Sequence, residues 1–429
     1  MKINVSQIIK VIEFWQNTSR GDKLYPRAIV EAIDIKTSEI VDIIGPRRSG
    51  KSSVLKLLIK HLNLKDNSLY INFEDPYFIE HDHPSIIEEI ISVYKEYFNP
   101  GLCYLFFDEI QVISQWERTI RKLRDSSQFK IFITGSSSKL LSSEIASLLT
   151  GRHLSYQLLP LSFGEYLQFK GVEILNKKDI ILKEKLLLKL FSEYLSKGGF
   201  PEVVLTDNLE LPGQYFRDII QKDIVMRYEV REKGILEKMA IYLISNATKT
   251  TSIESLKKTF NISYKLASTY LDYLKEVFLL FEIPQFSYSL KKQQKGFKKI
   301  YAVDCGLANA VSFRFSEDKG RMLENCVFLH LLQMGQELYY YKTGNNLEID
   351  FLVKDFNDRK IPIQVTWEFE SKKTKGRELS SLISTMDELK LTEGIILTYD
   401  DEDSISIDNK FINIKPVYKW LLEREGRND

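Results

Sequence analysis

Two glycines that flank a short basic turn, followed by a lysine and a serine, form the segment whose chemistry is easiest to state. It consists of Gly45, Pro46, Arg47, Arg48, Ser49, Gly50, Lys51, Ser52 and Ser53. Glycines let backbone N–H groups approach a ligand closely, and the spacing GxxxxGK[ST] is typical of a loop that surrounds phosphates. Lys51 would pair with the β- and γ-phosphates of a nucleotide, and the Ser52 hydroxyl would bind Mg²⁺. The pattern alone also allows a chance glycine turn.

An acidic pair supplies a second half for such a site. Asp108 and Glu109 follow a continuous apolar run, LCYLFF (102–107), which is typical of a strand in a parallel sheet covered on both faces. Ligands bind at the carboxyl ends of such strands. Asp108 would hold Mg²⁺ through water, and Glu109 would polarise an attacking water. The alternative is a strand that ends in surface acids.

The elements around these residues favour an α/β arrangement. EIVDIIG (39–45) has the composition of a buried strand, and SSVLKLLIKHL (52–62) has apolar residues at helical spacing. A helix that begins near Lys51 would point its N-terminal amides and the positive end of its dipole at the phosphates. Strand, loop and helix therefore follow each other in the order that a phosphate-binding loop requires.

Several motifs in this order resemble one family. They are GPRRSGKSS, LFFDEIQ followed by a tryptophan, ITGSSS followed by LLTGR, LPLSFGEY, GGFPEVV, YFRDIIQKDIVMRY and YAVDCGLANA. The chain resembles the prokaryotic AAA-superfamily P-loop ATPases that carry a C-terminal domain of unknown function, and the resemblance covers nearly its whole length. It implies an ATPase domain with a parallel sheet, a helical lid, a winged helix and a C-terminal restriction-endonuclease-like α/β domain.

The resemblance also implies roles for residues beyond the two motifs. In AAA-type ATPases, a polar residue at the tip of the neighbouring strand senses the γ-phosphate. Ser136 is the best match in KIFITGSSS (130–138), with Thr134 as the alternative. Arg152 follows a predicted helix at the position of an arginine finger, which would act in trans within a homo-oligomer. A surface arginine at a helix end is the alternative for Arg152.

Four domains are predicted: an ATPase domain (1–160), a helical lid (161–240), a winged helix (241–303) and a PD-(D/E)XK nuclease-like domain (304–429). A lid normally supplies a sensing arginine, and Arg217, Arg227 and Arg231 are equal candidates.

The predicted winged helix contains a lysine-rich segment. A helix-turn-helix pattern with N-caps at Ser252 and Ser263 runs into two predicted strands joined by a lysine-rich tip. The tip lysines are Lys291, Lys292, Lys295, Lys298 and Lys299. They could bind DNA phosphates without recognising sequence, while Lys265, Ser268 and Thr269 could face a groove. A protein-binding module with a solvated turn is the alternative.

The nuclease-like pattern is incomplete. Glu324 matches the helix acid and Asp350 the strand acid, but Gln364 and Thr366 stand where Glu-x-Lys is expected. Glutamine is a weaker metal ligand and threonine carries no positive charge, so cleavage is doubtful. Lys342 or Lys354 could take the place of the lysine. The pattern favours a degenerate domain that serves in binding or assembly.

Composition limits the class of protein. The chain has 429 residues, 44% apolar residues, 28% charged residues and a net charge of +1. These values are typical of a globular protein, and they indicate that any affinity for nucleic acid depends on local patches. Three scattered cysteines fit a reducing compartment, and neither a membrane span nor a signal peptide is evident. We therefore expect a cytoplasmic Mg²⁺-dependent ATPase that acts on DNA. The alternatives are a nucleotide-controlled protein-binding switch and an ATP-regulated nuclease.

Overall fold

The computed structural model describes residues 4–21, 23–136, 151–312, 318–355, 357–369 and 372–425. The chain divides into two compact units, Met1–Leu159 and Pro160–Asp429. Most of the helix predicted ahead of Arg152 lies outside the described residues.

The first unit is built on a parallel sheet. Its strands are β1 (Ile40–Ile44), β2 (Ser68–Asn72), β3 (Tyr104–Asp108), β4 (Lys130–Gly135) and β5 (His153–Gln157). They lie in the order β2-β3-β4-β1-β5, and every neighbouring pair is parallel. The described helices are α1 (Val5–Gly21), α2 (Ile29–Ala32), α3 (Lys51–His61), α4 (Pro76–Glu80), α5 (Ser85–Tyr97) and α6 (Trp116–Asp125). The predicted α/β class of this part of the chain is confirmed.

The apolar strands of this unit form its core and bring the chemical motifs to one edge. All five residues of β1 are buried, and Phe106 stacks on Phe132 with ring centroids 4.8 Å apart. Since parallel strands share a carboxyl edge, the end of β1, Asp108 and the end of β4 lie on the same side of the sheet. The short strands are thus the scaffold that places the loop beside the acids.

The second unit begins with helices. They are α7 (Phe163–Phe169), α8 (Lys177–Leu182), α9 (Glu184–Lys197), α10 (Pro201–Thr206), α11 (Leu211–Asp218) and α12 (Lys233–Ser245). A π-helical segment, Ile219–Met226, continues α11. Ser162 and Glu165 form a capping box at the start of α7, in which each side chain accepts a hydrogen bond from the other residue's backbone N–H. The predicted helical character of this region is confirmed.

A small antiparallel sheet follows. Its strands β6 (Thr250–Thr251), β7 (Leu280–Pro284) and β8 (Lys298–Ala302) lie in the order β6-β8-β7. Helices α13 (Ile253–Phe260) and α14 (Tyr264–Glu276) precede β7, and the predicted N-caps Ser252 and Ser263 are confirmed. The predicted hairpin tip is not a simple turn, because a short helix, α15 (Leu290–Lys295), separates β7 from β8.

The C-terminal part has a larger mixed sheet. Its strands are β9 (Glu337–Lys342), β10 (Glu348–Lys354), β11 (Lys360–Val365), β12 (Glu393–Thr398), β13 (Asp403–Ile407) and β14 (Lys410–Pro416), in the order β13-β14-β12-β11-β10-β9. The helices are α16 (Cys305–Val311), α17 (Lys319–Gln333), α18 (Lys372–Leu389) and α19 (Val417–Glu425). Strand β13 was not predicted.

One cluster of buried apolar side chains joins the three parts of the second unit. It includes Leu187 of the helical part, Ile300 of the small sheet and Phe351 of the large sheet. The boundaries that the sequence places within this unit stay a prediction. None of the described helices combines the length and apolar character needed to cross a membrane.

Candidate nucleotide site

The loop between β1 and α3 needs its two glycines for different reasons. A Cβ on Gly45 would lie 2.1 Å from the backbone oxygen of Leu158, which is closer than any real contact. Gly50, immediately before α3, has a φ of 98°, in the left-handed region that side chains disfavour. The backbone can therefore wrap tightly in front of the helix N-terminus, as a phosphate-binding loop requires.

Lys51 is the first residue of α3, and its side chain is buried against the loop. Its Nζ donates to the backbone oxygens of Gly45 and Pro46, each at 3.2 Å. The Oε1 atom of Glu109 lies 3.5 Å from the same Nζ. The structure thus brings the predicted phosphate lysine and the predicted catalytic acid together.

Asp108 ends β3 and receives hydrogen bonds from several hydroxyl groups. Thr134 Oγ1 donates to its Oδ1 at 2.5 Å, and Tyr70 OH donates to its Oδ2 at 2.9 Å. Burial and the neighbouring Glu109 carboxylate raise the pKa of Asp108, while a hydrogen bond from the Ser52 hydroxyl opposes the rise. The two residues predicted to hold Mg²⁺, Ser52 and Asp108, are therefore in contact.

Glu109 adopts a left-handed backbone conformation, with a φ of 51°. Its N–H donates to Thr134 Oγ1 at 2.9 Å, and its Oε2 accepts from Gln111 Nε2 at 2.5 Å. Burial alone would raise the pKa of this carboxyl group, but the Lys51 ammonium and the Gln111 amide hold it below its usual value. Glu109 is consequently an ionised carboxylate that can accept a hydrogen bond from water.

Thr134 connects the two acids, since its hydroxyl donates to Asp108 and accepts from the Glu109 backbone. The sequence favoured Ser136, which is buried just beyond β4. Thr134 was only the alternative, because the end of the strand cannot be located within two residues from the sequence.

We predict that Thr134→Val lowers steady-state ATP turnover by roughly 10-fold, because a lost partner of a buried polar group costs roughly 1–3 kcal/mol. Nucleotide affinity should change little, and Thr134→Ser should restore turnover by keeping the hydroxyl. Ser136→Ala is the matched control. If Ser136→Ala lost turnover while Thr134→Val kept it, Ser136 and not Thr134 would be the residue that senses the γ-phosphate.

Arg27 is a further residue of this site that sequence reasoning missed. It is buried, and its guanidinium donates to the backbone oxygens of Ser49 at 2.7 Å and Leu159 at 3.0 Å. Arg27 therefore anchors the backbone of the loop at Ser49. A single arginine outside any motif cannot be recognised as a site residue from one sequence.

The loop arginines have different environments. Arg47 donates to Glu74 at 3.1 Å, so the acid beyond β2 is tied to the loop. Arg48 has a φ of 70°. Ser53 lies in the first turn of α3 and is exposed.

Models of known families match three consecutive regions. A model of an AAA domain matches residues 37–167, and models of two domains of unknown function match residues 188–318 and 319–419. An uncharacterized protein of Methanocaldococcus jannaschii is 38% identical over 417 residues, which cover 92% of this chain and 91% of the relative. An uncharacterized protein of Haemophilus influenzae is 30% identical over 410 residues, which cover 92% of this chain and 97% of that relative.

The chain belongs to one family of AAA-domain proteins with these relatives. Its first unit is a nucleotide-binding domain of the AAA ATPase type, as the motifs predicted. The ORC1 protein of Aeropyrum pernix, solved in complex with DNA, is a much more distant match. It is 12% identical with a TM-score of 0.27, and the match covers 73% of this chain and 92% of that one. A TM-score of this size supports no inference about this AAA-domain protein.

Arg152 does not lie at the carboxyl edge of its own sheet, where the predicted phosphate-binding loop is found. It precedes β5, whose first residue His153 is in register with Ile40 at the start of β1. Its Nε donates to Asp125, the last residue of α6, at 3.2 Å. The amino-terminal edge of the strands is opposite the loop, so within one chain Arg152 serves as an ion-pair partner. Its action on a second copy stays a prediction.

The candidate sensing arginines belong to the second unit of the AAA-domain protein. Arg217 and Arg231 are exposed, while Arg227 lies 4.0 Å from Asp223. None of these observations selects one of the three as the sensing residue.

The five predicted DNA-binding lysines do not form one exposed set. Lys291 is exposed, Lys298 is half-buried and donates to the backbone oxygen of Gln293, and the side chains of Lys292 and Lys295 lie outside the described atoms. Lys299 is only 2% exposed. Its assignment to an exposed tip is wrong, because neighbouring side chains of a strand point to opposite faces and Lys299 faces inward.

Lys299 instead meets the acids of the predicted nuclease-like core. Its Nζ donates to Glu324 at 2.8 Å and to Asp350 at 2.9 Å, and Glu348 lies 3.1 Å away. Burial would lower the pKa of Lys299, but Asp350 and Glu324 hold it well above its usual value. The ammonium therefore stays charged inside this cluster.

The acids of the cluster also affect one another. Burial and the Asp350 carboxylate raise the pKa of Glu324 to about 7, although Lys299 and the hydroxyl of Tyr301 oppose the rise. Of the two expected replacement lysines, one contacts an acid of this cluster and the other does not. Lys342 pairs with Glu348 at 3.3 Å, and Lys354 with Asp358 at 3.0 Å.

Gln364 and Thr366 take part in local hydrogen bonds at the end of β11. Gln364 Oε1 accepts from the Asp350 N–H at 3.3 Å, and its Nε2 donates to Glu378 at 2.7 Å. Thr366 Oγ1 donates to the backbone oxygen of Glu368 at 3.1 Å. Among the residues that the structure describes, no group of three or more histidine, cysteine or acidic side chains is arranged to hold a metal ion.

Proposed function

We propose that this AAA-domain protein binds ATP with Mg²⁺ at the loop between β1 and α3, hydrolyses it, and uses the nucleotide cycle to act on DNA. The observation that carries the ATPase proposal is the junction of the two motifs. Ser52 contacts Asp108, and Lys51 lies beside Glu109 at the carboxyl edge of the sheet. The position and chemistry of these four side chains suit phosphoryl transfer to water.

The residues of the loop fit a bound nucleotide phosphate. Ser49 Oγ is fully buried and has no hydrogen-bond partner within the described structure, although buried hydroxyls normally have one. The glycines leave room for phosphate oxygens against the backbone, and the N-terminus of α3 favours an anion. These features support phosphate as the ligand of the loop.

Ser52 and Asp108 would hold Mg²⁺, because a hydroxyl and a carboxylate are oxygen ligands of the kind that this ion prefers. Mg²⁺ would neutralise part of the phosphate charge. Lys51 now donates to the carbonyls of Gly45 and Pro46. To pair with a phosphate it must exchange these carbonyls, and its ion pair with Glu109, for charged phosphate oxygens.

Glu109 would orient the attacking water and accept its proton. Its pKa is held down mainly by Lys51, the same group that a phosphate would attract. Binding of a nucleotide therefore weakens the pairing of Lys51 with Glu109, and makes the carboxylate a stronger base when substrate is present.

Phosphate release by the full chain, with Mg²⁺ or with excess EDTA, tests the ATPase proposal. We expect steady-state turnover with Mg²⁺ and none with EDTA. Absence of turnover with Mg²⁺, while ATP still binds, would support the protein-binding switch instead.

The DNA proposal depends on the small sheet and its helices. Two helices followed by an antiparallel strand pair, with a basic segment between the strands, make the arrangement that we interpret as a winged helix. Lys291 and Lys265 are exposed, and so are Tyr288 and Phe297. Exposed lysines can bind phosphates, and exposed aromatic rings can contact sugar or base edges.

Replacing Lys291, Lys292, Lys295 and Lys298 by glutamate should weaken binding of duplex DNA by at least ~10-fold at low salt. The dependence of log affinity on log salt should become shallower by about 1 for each lysine–phosphate pair that the substitutions remove. The matched control replaces four exposed lysines of α8 and α9, Lys177, Lys178, Lys185 and Lys189. Binding can be followed by fluorescence anisotropy.

Equal loss of DNA affinity in both quadruple variants would indicate a general charge effect and not a winged-helix surface. Unchanged affinity in the first variant would argue against the wing. If wild type shows Mg²⁺-dependent turnover but no salt-dependent DNA affinity, the protein-binding switch becomes the better proposal.

We further propose that the C-terminal part is a PD-(D/E)XK-like domain that does not cleave nucleic acid. The lack of charge on Gln364 and Thr366 supports this view, as does their engagement in local hydrogen bonds. Mg²⁺-dependent nicking that disappears in Asp350→Ala would instead favour the ATP-regulated nuclease.

A further inference from the structure

Three carboxylates from two elements converge on one buried ammonium group. Glu324 lies on α17, while Glu348 and Asp350 lie on β10, and an oxygen of each is within 3.1 Å of Lys299 Nζ. Glu324 and Asp350 are each 8% exposed. Carboxylates this close repel one another, and burial without compensation would be costly. The ammonium at this position offsets that cost.

The lysine comes from outside the sheet that carries the acids. It belongs to β8 of the small sheet, 25 residues before Glu324 and 51 before Asp350. Its placement is enforced by a second contact. Asn325 is fully buried, accepts from the Ala302 N–H at 2.8 Å and donates to the Ala302 oxygen at 3.0 Å. These two hydrogen bonds fix the position of Ala302, at the end of β8, relative to α17.

Other groups also act on the acids around the ammonium. Glu348 shares a second lysine, Lys342, at 3.3 Å. Gln364 hydrogen-bonds the backbone of Asp350 with a neutral amide, where a glutamate would add another negative charge. A divalent ion could neutralise that additional charge, but a single ammonium could not.

We propose that the Lys299 ammonium is a built-in substitute for a divalent cation. It occupies the position between Glu324 and Asp350, neutralises them, and fastens β8 to α17 and β10. The C-terminal part of this protein consequently folds without a metal at this position and excludes one while Lys299 is present. Without the ammonium group, the buried carboxylates of Glu324 and Asp350 would face the position that Nζ now occupies. Mn²⁺ or Mg²⁺ could then bind between them.

Lys299→Met tests this proposal because methionine keeps most of the apolar stem of the lysine side chain and lacks its ammonium nitrogen. Binding of Mn²⁺ to the full chain, without nucleotide, is measured from the free-ion electron paramagnetic resonance signal. We expect Lys299→Met to bind Mn²⁺ and to gain thermal stability from it, since a ligand that binds only the folded state stabilises it. Wild type should show neither effect.

Two control variants locate the ion. Lys319→Met, at the exposed start of α17, should bind no Mn²⁺, as wild type. The double variant with Lys299→Met and Glu324→Gln should bind Mn²⁺ at least ~10-fold more weakly than Lys299→Met, because even an outer partner of a metal ligand typically contributes that much. The first unit is unchanged in all of them, so failure of the ATPase proposal would not affect the result.

The proposal is overturned if wild type binds Mn²⁺ and the Glu324→Gln variant does not. Lys299 would then fail to exclude the ion. It is equally overturned if folded Lys299→Met binds no Mn²⁺. Should Lys299→Met fail to fold in EDTA, recovery of folding by Mn²⁺ supports the proposal. Failure to fold under both conditions contradicts it, since the ion could not then replace the ammonium.

Discussion

Lys51→Ala is expected to weaken ATP binding by at least ~100-fold, because charge-assisted hydrogen bonds contribute roughly 1.5–3 kcal/mol each and this lysine would make more than one. Its Nζ already lies in the loop, 3.2 Å from two loop carbonyls. Alanine removes the charge and leaves Glu109 without its ammonium partner. Titration calorimetry with ATP and Mg²⁺ measures the effect directly.

Lys60→Ala is the matched control for Lys51→Ala, since Lys60 lies on the same helix and is exposed. It should bind ATP as wild type does. A thermal unfolding curve separates loss of binding from loss of folding. Wild-type affinity in a folded Lys51→Ala variant would refute the assignment of the phosphate-binding loop.

Glu109→Gln is expected to abolish turnover while it preserves nucleotide binding. General base catalysis typically contributes 10²–10⁴-fold, so the turnover number should fall by at least ~100-fold. Glutamine keeps the size of the side chain and can still accept from Gln111. Since Lys51 then has no carboxylate at 3.5 Å to compete with phosphate, ATP affinity should stay equal or rise. Phosphate release and calorimetry together test both parts.

Glu117→Gln provides the control for Glu109→Gln, because it removes a carboxylate from the first turn of α6 and leaves the acidic pair intact. Substantial turnover by Glu109→Gln, with saturating ATP, would show that another group activates water. Together with Lys51→Ala, this variant separates binding from chemistry, since one should lose affinity and the other only rate.

The first unit follows closely from local patterns. Residues 40–62 contain strand, loop and helix in continuous sequence, so composition and periodicity were sufficient to predict their order. The acidic pair was likewise predictable, because a continuous apolar strand that ends in carboxylates has few other interpretations in a parallel sheet. The family match to an AAA domain confirms the predicted class of this unit.

The contacts that the sequence did not specify are made between distant segments. Arg27 supports the loop through backbone oxygens, one of which, that of Leu159, is 132 residues away. Thr134, which was only the alternative to Ser136, contacts both acids because of strand register, which one sequence does not specify to within two residues. Arg152 lies at the amino edge of the sheet, and only the pairing of β5 with β1 shows this.

The sequence by itself determined the class of the first unit and singled out the loop and the acidic pair that the structure brings together, because glycine geometry, strand hydrophobicity and motif spacing act over short stretches of chain. Only the tertiary structure decided which hydroxyl joins the acids and what Lys299 does. The charge run suggested a DNA-binding lysine, whereas the pleat of β8 turns that side chain toward Glu324 and Asp350. Burial and charge pairing depend on neighbours that folding brings together, and a linear pattern does not contain them.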